Sequence, residues 1–184
     1  LMIMICQTTI ARSTAISGIG LHTGQRINMT LRPADAGVGI VFHRQIGDRR
    51  VSIEATSANV VDTRLATVIG QGDARVSTVE HLLASLAAYG VDNLHIDIDG
   101  PEVPIMDGSA APFVSVLEEA GLKRHTVSRK FLAIRKPVSV IDGEKRATII
   151  PSRFFSITFD IAFQHPCIAL QQRSVKVTTA GFRK

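Results

Sequence analysis

The chain has 184 residues, 45% of them hydrophobic and 20% charged, the balance of an ordinary soluble globular protein with one domain or two small ones. No apolar run approaches the roughly 20 residues that a membrane-spanning helix requires. The net charge is +5, from 21 basic and 16 acidic residues, but the basic residues fall in scattered pairs, there is one Tyr (Tyr89) and no Trp. Stacking platforms for nucleic acid are therefore scarce, and the mild positive field suits an anionic small substrate or a phospholipid surface.

The opening stretch Leu1-Met2-Ile3-Met4-Ile5-Cys6 is apolar but short, without the basic lead of a secretory signal. It reads as a first strand, and the Leu start points to an N-terminus that is not the native one. Cys6 and Cys167 lack any C-x-x-C spacing, so a reduced, cytoplasmic compartment is expected, with no disulfide framework and no thiolate zinc site. Residues 8–69 read as successive strands punctuated by glycines. Arg26 to Arg32 alternates apolar with polar, Val38 to His43 is a short apolar strand, and Val60 to Ile69 reads as one more.

A helix is expected from Thr78 to the stop at Gly90. Val79, Leu82, Leu83, Leu86 and Ala87 form one apolar stripe, and Ser77-x-x-Glu80 has the form of a capping box. His81 lies roughly 200° around the helix from Val79, beside the small residues Ala84, Ser85 and Ala88. Two readings of Glu80 and His81 stay open at this point. They either cap a surface helix, or they deliver a water-activating base and a metal ligand side by side, as zinc hydrolases with the reversed His-Glu order do. The residue four past His81 is Ser85, so a second helical ligand is missing.

Leu94 to Asp99 alternates as a half-buried strand closed by Gly100-Pro101. His95 and Asp99 match His-x-x-x-Asp, but four residues of strand span about 13 Å, too far for one metal ion, so both belong to a solvated face. A second helix follows from about Ala110 to Ala120, with Ser109 as its N-cap and Gly121 as its stop. After Thr126 the pattern restarts with strands over Phe131–Val140, Ala147–Ile150 and Phe154–Phe163. The last of these carries Phe155, Ile157, Phe159, Ile161 and Phe163 on one face. No amphipathic helix follows to cover that face. The expected class is α+β: a complete N-terminal domain over residues 1–125, then the first strands of a second α+β domain over 126–184, truncated at Lys184.

Three motifs in order, Gly18-Ile19-Gly20-Leu21-His22-Thr23-Gly24, Ser77-Thr78-Val79-Glu80-His81-Leu82 and Pro104-Ile105-Met106-Asp107-Gly108-Ser109-Ala110-Ala111-Pro112-Phe113, resemble the UDP-3-O-acyl-N-acetylglucosamine deacetylase family. The likeness continues through Phe163-Gln164-His165-Pro166 and covers essentially the whole chain. These are the zinc amidases of lipid A biosynthesis in Gram-negative bacteria, enzymes of lipopolysaccharide assembly. The resemblance implies two related α+β domains with the active site between them. It makes His81 a zinc ligand and Glu80 the general base that activates the zinc-bound water, which attacks the acetamide of a UDP-linked acylglucosamine and releases acetate.

His22, in its glycine-flanked turn, is implied at the mouth of the site, although a solvent-exposed turn residue is the plain alternative. Leu65 aligns with a position lining the acyl region, against ordinary strand core. Asp107 would orient a catalytic group, against simply forming the turn before Ser109. The resemblance also implies transient contact with the inner-membrane surface. The family draws its other ligands, a helical His-x-x-x-Asp, and a later general-acid His from the second domain, and no such set occurs up to Lys184. The chain by itself is therefore expected to bind zinc poorly and to show no deacetylation, its missing partner being the remainder of its own second domain. The competing reading is a non-catalytic α+β module binding RNA or a partner chain.

Overall fold

A computed structural model describes residues 5–183. The described strands begin at Cys6, and residues 1–4 of the expected first strand lie outside the described residues. The chain divides into two compact units, with the break between Arg129 and Lys130.

The first unit runs β1 (Cys6–Ile10), β2 (Thr14–Ile19), β3 (Arg26–Pro33), β4 (Ile40–Ile46), β5 (Arg49–Glu54), a short 3-10 turn (Ser57–Asn59), β6 (Val60–Asp62), β7 (Val68–Gln71), β8 (Ala74–Val76), α1 (Glu80–Ala88), β9 (Leu94–Ile98), α2 (Ala111–Ala120) and β10 (Leu122–Ser128). Five strands form the main sheet in the order β2-β3-β9-β4-β5. All its pairings are antiparallel except β4 with β9, because the chain crosses over through α1 before β9 enters the middle of the sheet. The class is α+β, as expected.

Alternation dictates which face of the sheet is buried. Ile27, Met29 and Leu31 of β3 and Leu94, Ile96 and Ile98 of β9 point to one side with Phe42 and Ile53. They meet Leu82 and Leu86 of α1 and Phe113 and Leu117 of α2 in a single cluster. The opposite face is polar. Arg32 and Arg50 both pair with Asp97, and His43 Nε2 lies 2.9 Å from His95 Nδ1. Asp99 instead accepts from the N–H and side-chain amide of Asn28, so His95 and Asp99 have separate partners.

Residues Leu122–Ser128 pair antiparallel with β1 and so extend the first unit to Arg129. There the Arg129 guanidinium meets Asp92 at 2.7 Å, and the same carboxylate accepts the N–H of Thr8. Glycine stops both helices as the sequence implies. Gly90 has φ +65° and Gly121 φ +69°, left-handed backbone that residues with a Cβ rarely adopt.

Several expectations are corrected. Val60 to Ile69 is not one strand but a hairpin of β6 and β7, since the Asp62 carboxylate accepts the N–H groups of Thr63 and Arg64 and turns the chain. The helix begins at Glu80, not Thr78, and the capping box is not made. The Ser77 N–H donates to Pro101 O, and Glu80 Oε2 accepts from the Thr67 N–H at 3.1 Å. Ser85 and Ala88, expected beside His81 on an open back face, are buried, whereas Ala84 and Ala87 are exposed. Ser85 tolerates burial because its hydroxyl donates to His81 O within the helix.

The second unit contains β11 (Val138–Asp142) and β12 (Lys145–Ile149) as one hairpin, β13 (Ser156–Ala162) and β14 (Leu170–Lys176) as another, and a single helical turn α3 (Thr179–Phe182). The turn after Asp142-Gly143 falls where expected. Residues 131–137 are not strand, because Pro137 has no N–H for a ladder and restricts the residue before it. β14 has no apolar alternation and is defined only by its pairing with β13.

Two outcomes follow from this packing. Leu86, 1% exposed in the core of the first unit, should cost about 2–5 kcal/mol when cut to Ala, read by denaturant unfolding, while Ala87→Ser on the uncovered side should stay within about 0.5 kcal/mol. Ile157, Phe159 and Ile161 of β13 are 46%, 42% and 37% exposed, so the chain should bind a hydrophobic dye. Replacing those three by Thr should abolish most of the fluorescence gain.

Candidate active site

Three segments far apart in the chain are drawn together around one buried side chain. The turn after β2 closes with Gly20 N–H on Gln25 O at 2.9 Å and Gly24 N–H on Gly20 O at 3.0 Å, and His22 stands exposed at its tip. Ile105 N–H donates to Ile19 O, and a Cβ added to Gly18 would lie 2.9 Å from Pro104 Cβ, so this close approach requires glycine. Ser77 N–H to Pro101 O and Val103 N–H to Ser77 O zip the approach to α1 against the same segment.

Glu102 lies at the centre, with no solvent exposure. Its carboxylate accepts the His22 N–H at 3.0 and 3.2 Å, the Thr23 N–H at 3.1 Å, the Thr23 hydroxyl at 3.1 Å and the Thr78 hydroxyl at 2.9 Å. Burial pushes the carboxyl up. The donors from His22, Thr78 and Thr23 outweigh that, so its pKa lies below the ordinary glutamate value. Thr78 itself has φ +56°, strained for a β-branched residue, immediately before α1 turns inward.

The head of α1 presents Glu80 and His81, both half-buried. One oxygen of Glu80 is fixed by the Thr67 N–H from the loop between β6 and β7. Among the described residues its other oxygen, Oε1, has no hydrogen bond within the chain. Leu65, on that same loop, is 86% exposed and so is not strand core. Asp107 accepts from the N–H and hydroxyl of Ser109, which hold its carboxyl below the usual carboxylate range. Those bonds stay within its own turn before α2. The structure thus links His22 to the head of α1 through Glu102, and Leu65 to it through the Thr67 loop. Among the described residues no comparable hydrogen bond ties Asp107 to them.

The family model described as UDP-3-O-acyl N-acetylglycosamine deacetylase matches residues 7–184. The chain belongs to this family. It is 66% identical over 181 residues to the UDP-3-O-acyl-N-acetylglucosamine deacetylase of Syntrophotalea carbinolica, covering 98% of this chain and 59% of that protein. Against the enzyme of the same name from Geobacter sp. (strain M21) identity is 58%, over 97% of this chain and 59% of the relative. Against that of Pseudomonas entomophila it is 43%, over 95% and 57%. The chain spans about three-fifths of the length of these curated relatives.

Glu102, Thr78 and Thr67 were not singled out from sequence. One signal for the first was available: an isolated acid enclosed by Pro101, Val103 and Pro104 has no solvated neighbours. Since the Glu102 pKa is lowered by folding, the stability it contributes is present above the ordinary glutamate value of 4.5 and is lost as pH falls through the lower, folded-state value. Acid unfolding followed by circular dichroism should therefore be shallower below pH 4.5 in Glu102→Gln than in the parent chain.

Proposed function

We propose that this chain carries the general base and one zinc ligand of a deacetylase that hydrolyses the acetamide of a UDP-linked 3-O-acylated N-acetylglucosamine, releasing acetate in lipid A biosynthesis. Membership of the family supports this reading, and the observation that carries it is the anchored Glu80 beside His81 at the head of α1. A zinc site normally takes three protein ligands. Among the described residues no group of three or more His, Cys, Asp or Glu side chains converges to hold a metal ion. The described residues thus do not form a complete zinc site, and the proposal commits His81 to one ligand only. When bound, zinc polarises an amide oxygen and acidifies water.

What the chain itself supplies is proton transfer and placement. The Thr67 N–H occupies Glu80 Oε2 and leaves Oε1 to take a proton from an attacking water, the task of a general base. The uncovered side of α1 carries only the small residues Ala84 and Ala87 beyond Glu80, His81 and Leu83, so a bulky substrate can approach the helix closely. Exposed Leu65, two residues from the Glu80 anchor, is suited to line the path of an acyl chain. His22 on its exposed turn is proposed to contact polar substrate groups, and Asp107, in the turn before α2, to orient a catalytic group. The residues beyond Arg129 are read as the opening strands of a second α+β domain of the same kind. No helix among the described residues is long and apolar enough to cross a membrane, and a cytoplasmic location is part of the proposal.

The roles of the two neighbouring residues separate cleanly by experiment on the protein as its gene encodes it. His81→Ala should lose most bound zinc, because a ligand holds the metal. Glu80→Ala should keep its zinc and lose about 10²–10⁴-fold in acetate release, the usual contribution of a positioned base. Near-normal turnover in Glu80→Ala with unchanged zinc would overturn the base assignment.

A further inference from the structure

We propose that Glu102 is a positioning residue: its buried carboxylate locks the His22 turn to Thr78, two residues before the Glu80–His81 helix, so that both halves of the site move as one body. This inference rests on the reading of Glu80 and His81 given above. Among the described residues Glu102 hydrogen-bonds to neither of them and acts through Thr78.

Four donors from two separate segments converge on this one side chain, two from backbone N–H groups and two from threonine hydroxyls. Among the described residues no Lys, Arg or His side chain hydrogen-bonds to it. A buried charge compensated only by oriented dipoles requires those dipoles to stay in place, since each one lost leaves the anion underpaired. The turn and the helix head are therefore coupled: displacing either exposes the carboxylate to an unsatisfied interior.

Two independent features show the surroundings built to admit it. A Cβ on Gly20 would fall inside the van der Waals shells of Glu102 Oε2 and Thr23 Oγ1, so only glycine leaves the cradle open. Thr78 adopts φ +56° while its hydroxyl reaches Glu102 Oε1, a strained backbone held by the bond it makes. The tie lies beside the parallel bridge between Ser77 and Glu102, which sets the carboxylate in register with the start of α1.

Replacement by Gln keeps the shape but puts an NH2 group among donors. If it takes the Oε2 position it opposes the Thr23 N–H; at the Oε1 position it displaces the Thr78 donor and weakens the His22 bond. Replacement by Ala removes every acceptor. The test is residue-resolved amide exchange on the whole chain, with turnover and zinc content measured on the full-length protein. In Glu102→Gln, exchange should rise about 10-fold at residues 20–24 and 77–81 and stay unchanged in β3 and β9. Turnover should fall about 10-fold in Glu102→Gln and about 100-fold in Glu102→Ala, with KM within about twofold, the mark of lost placement rather than lost substrate binding.

Unchanged protection at His22 and Thr23 in folded Glu102→Gln would overturn the proposal. So would an equal rise through β3 and β9, which would make Glu102 a general stabiliser. Should Glu102→Ala fail to fold, Glu102→Gln and Thr78→Ala still decide, the latter freeing residues 77–81 while leaving the His22 bond intact. Glu80→Ala, run alongside, separates the two readings. If it retains turnover the base assignment fails, and the exchange data alone judge the tie through Glu102.

Discussion

A carboxylate removed from water must find its compensation within the chain, and at Glu102 that compensation is drawn from residues 80 and 24 positions away. The partners are amide and hydroxyl dipoles, which are effective only when aimed. Aiming them dictates much of the local backbone: the turn at His22 must present two successive N–H groups to one side, Gly20 must lack a side chain, and Thr78 must accept a left-handed conformation. The beginning of α1 is thereby specified by a tertiary contact, not by a local cap.

That changes what the first turn of α1 can do. In a capping box the Glu side chain bends back to its own backbone and is used up. Here the Ser77 N–H is satisfied by Pro101, and Glu80 reaches across to Thr67 on a neighbouring loop with one oxygen only. The helix meanwhile packs Leu82 and Leu86 into the core cluster, buries Ser85 and Ala88 as well, and leaves Ala84 and Ala87 uncovered. The same packing that anchors the helix turns its small residues outward, next to Glu80 and His81.

Much of this scaffold was legible from period and punctuation. The alternation in β3 and β9 named their buried residues correctly, α2 lies within a residue of its expected start, and glycines stop both helices in left-handed backbone. The errors have distinct causes. An Asp62 side chain captured two N–H groups and broke one apolar run into a hairpin. Pro137 removed a ladder donor, and the strand at Leu170–Lys176 carries no periodic signal because it is exposed along nearly its whole length. The helical stripe was rotated by about one residue because Ser85, polar in composition, satisfies its own hydroxyl and can be buried.

The adjacency of Glu80 and His81, the glycine turn around His22 and the order of the three motifs are properties of neighbouring residues, so they stand in the primary structure without any fold. Which oxygen of Glu80 is left free, which face of α1 is uncovered, and what holds the His22 turn to Thr78 depend on contacts across 13 to 80 residues. Such contacts leave no periodicity in a sequence, because hydrogen bonding between distant segments is set by where the packed sheet and helices bring them. Only the folded chain could place an acid at residue 102 among four donors.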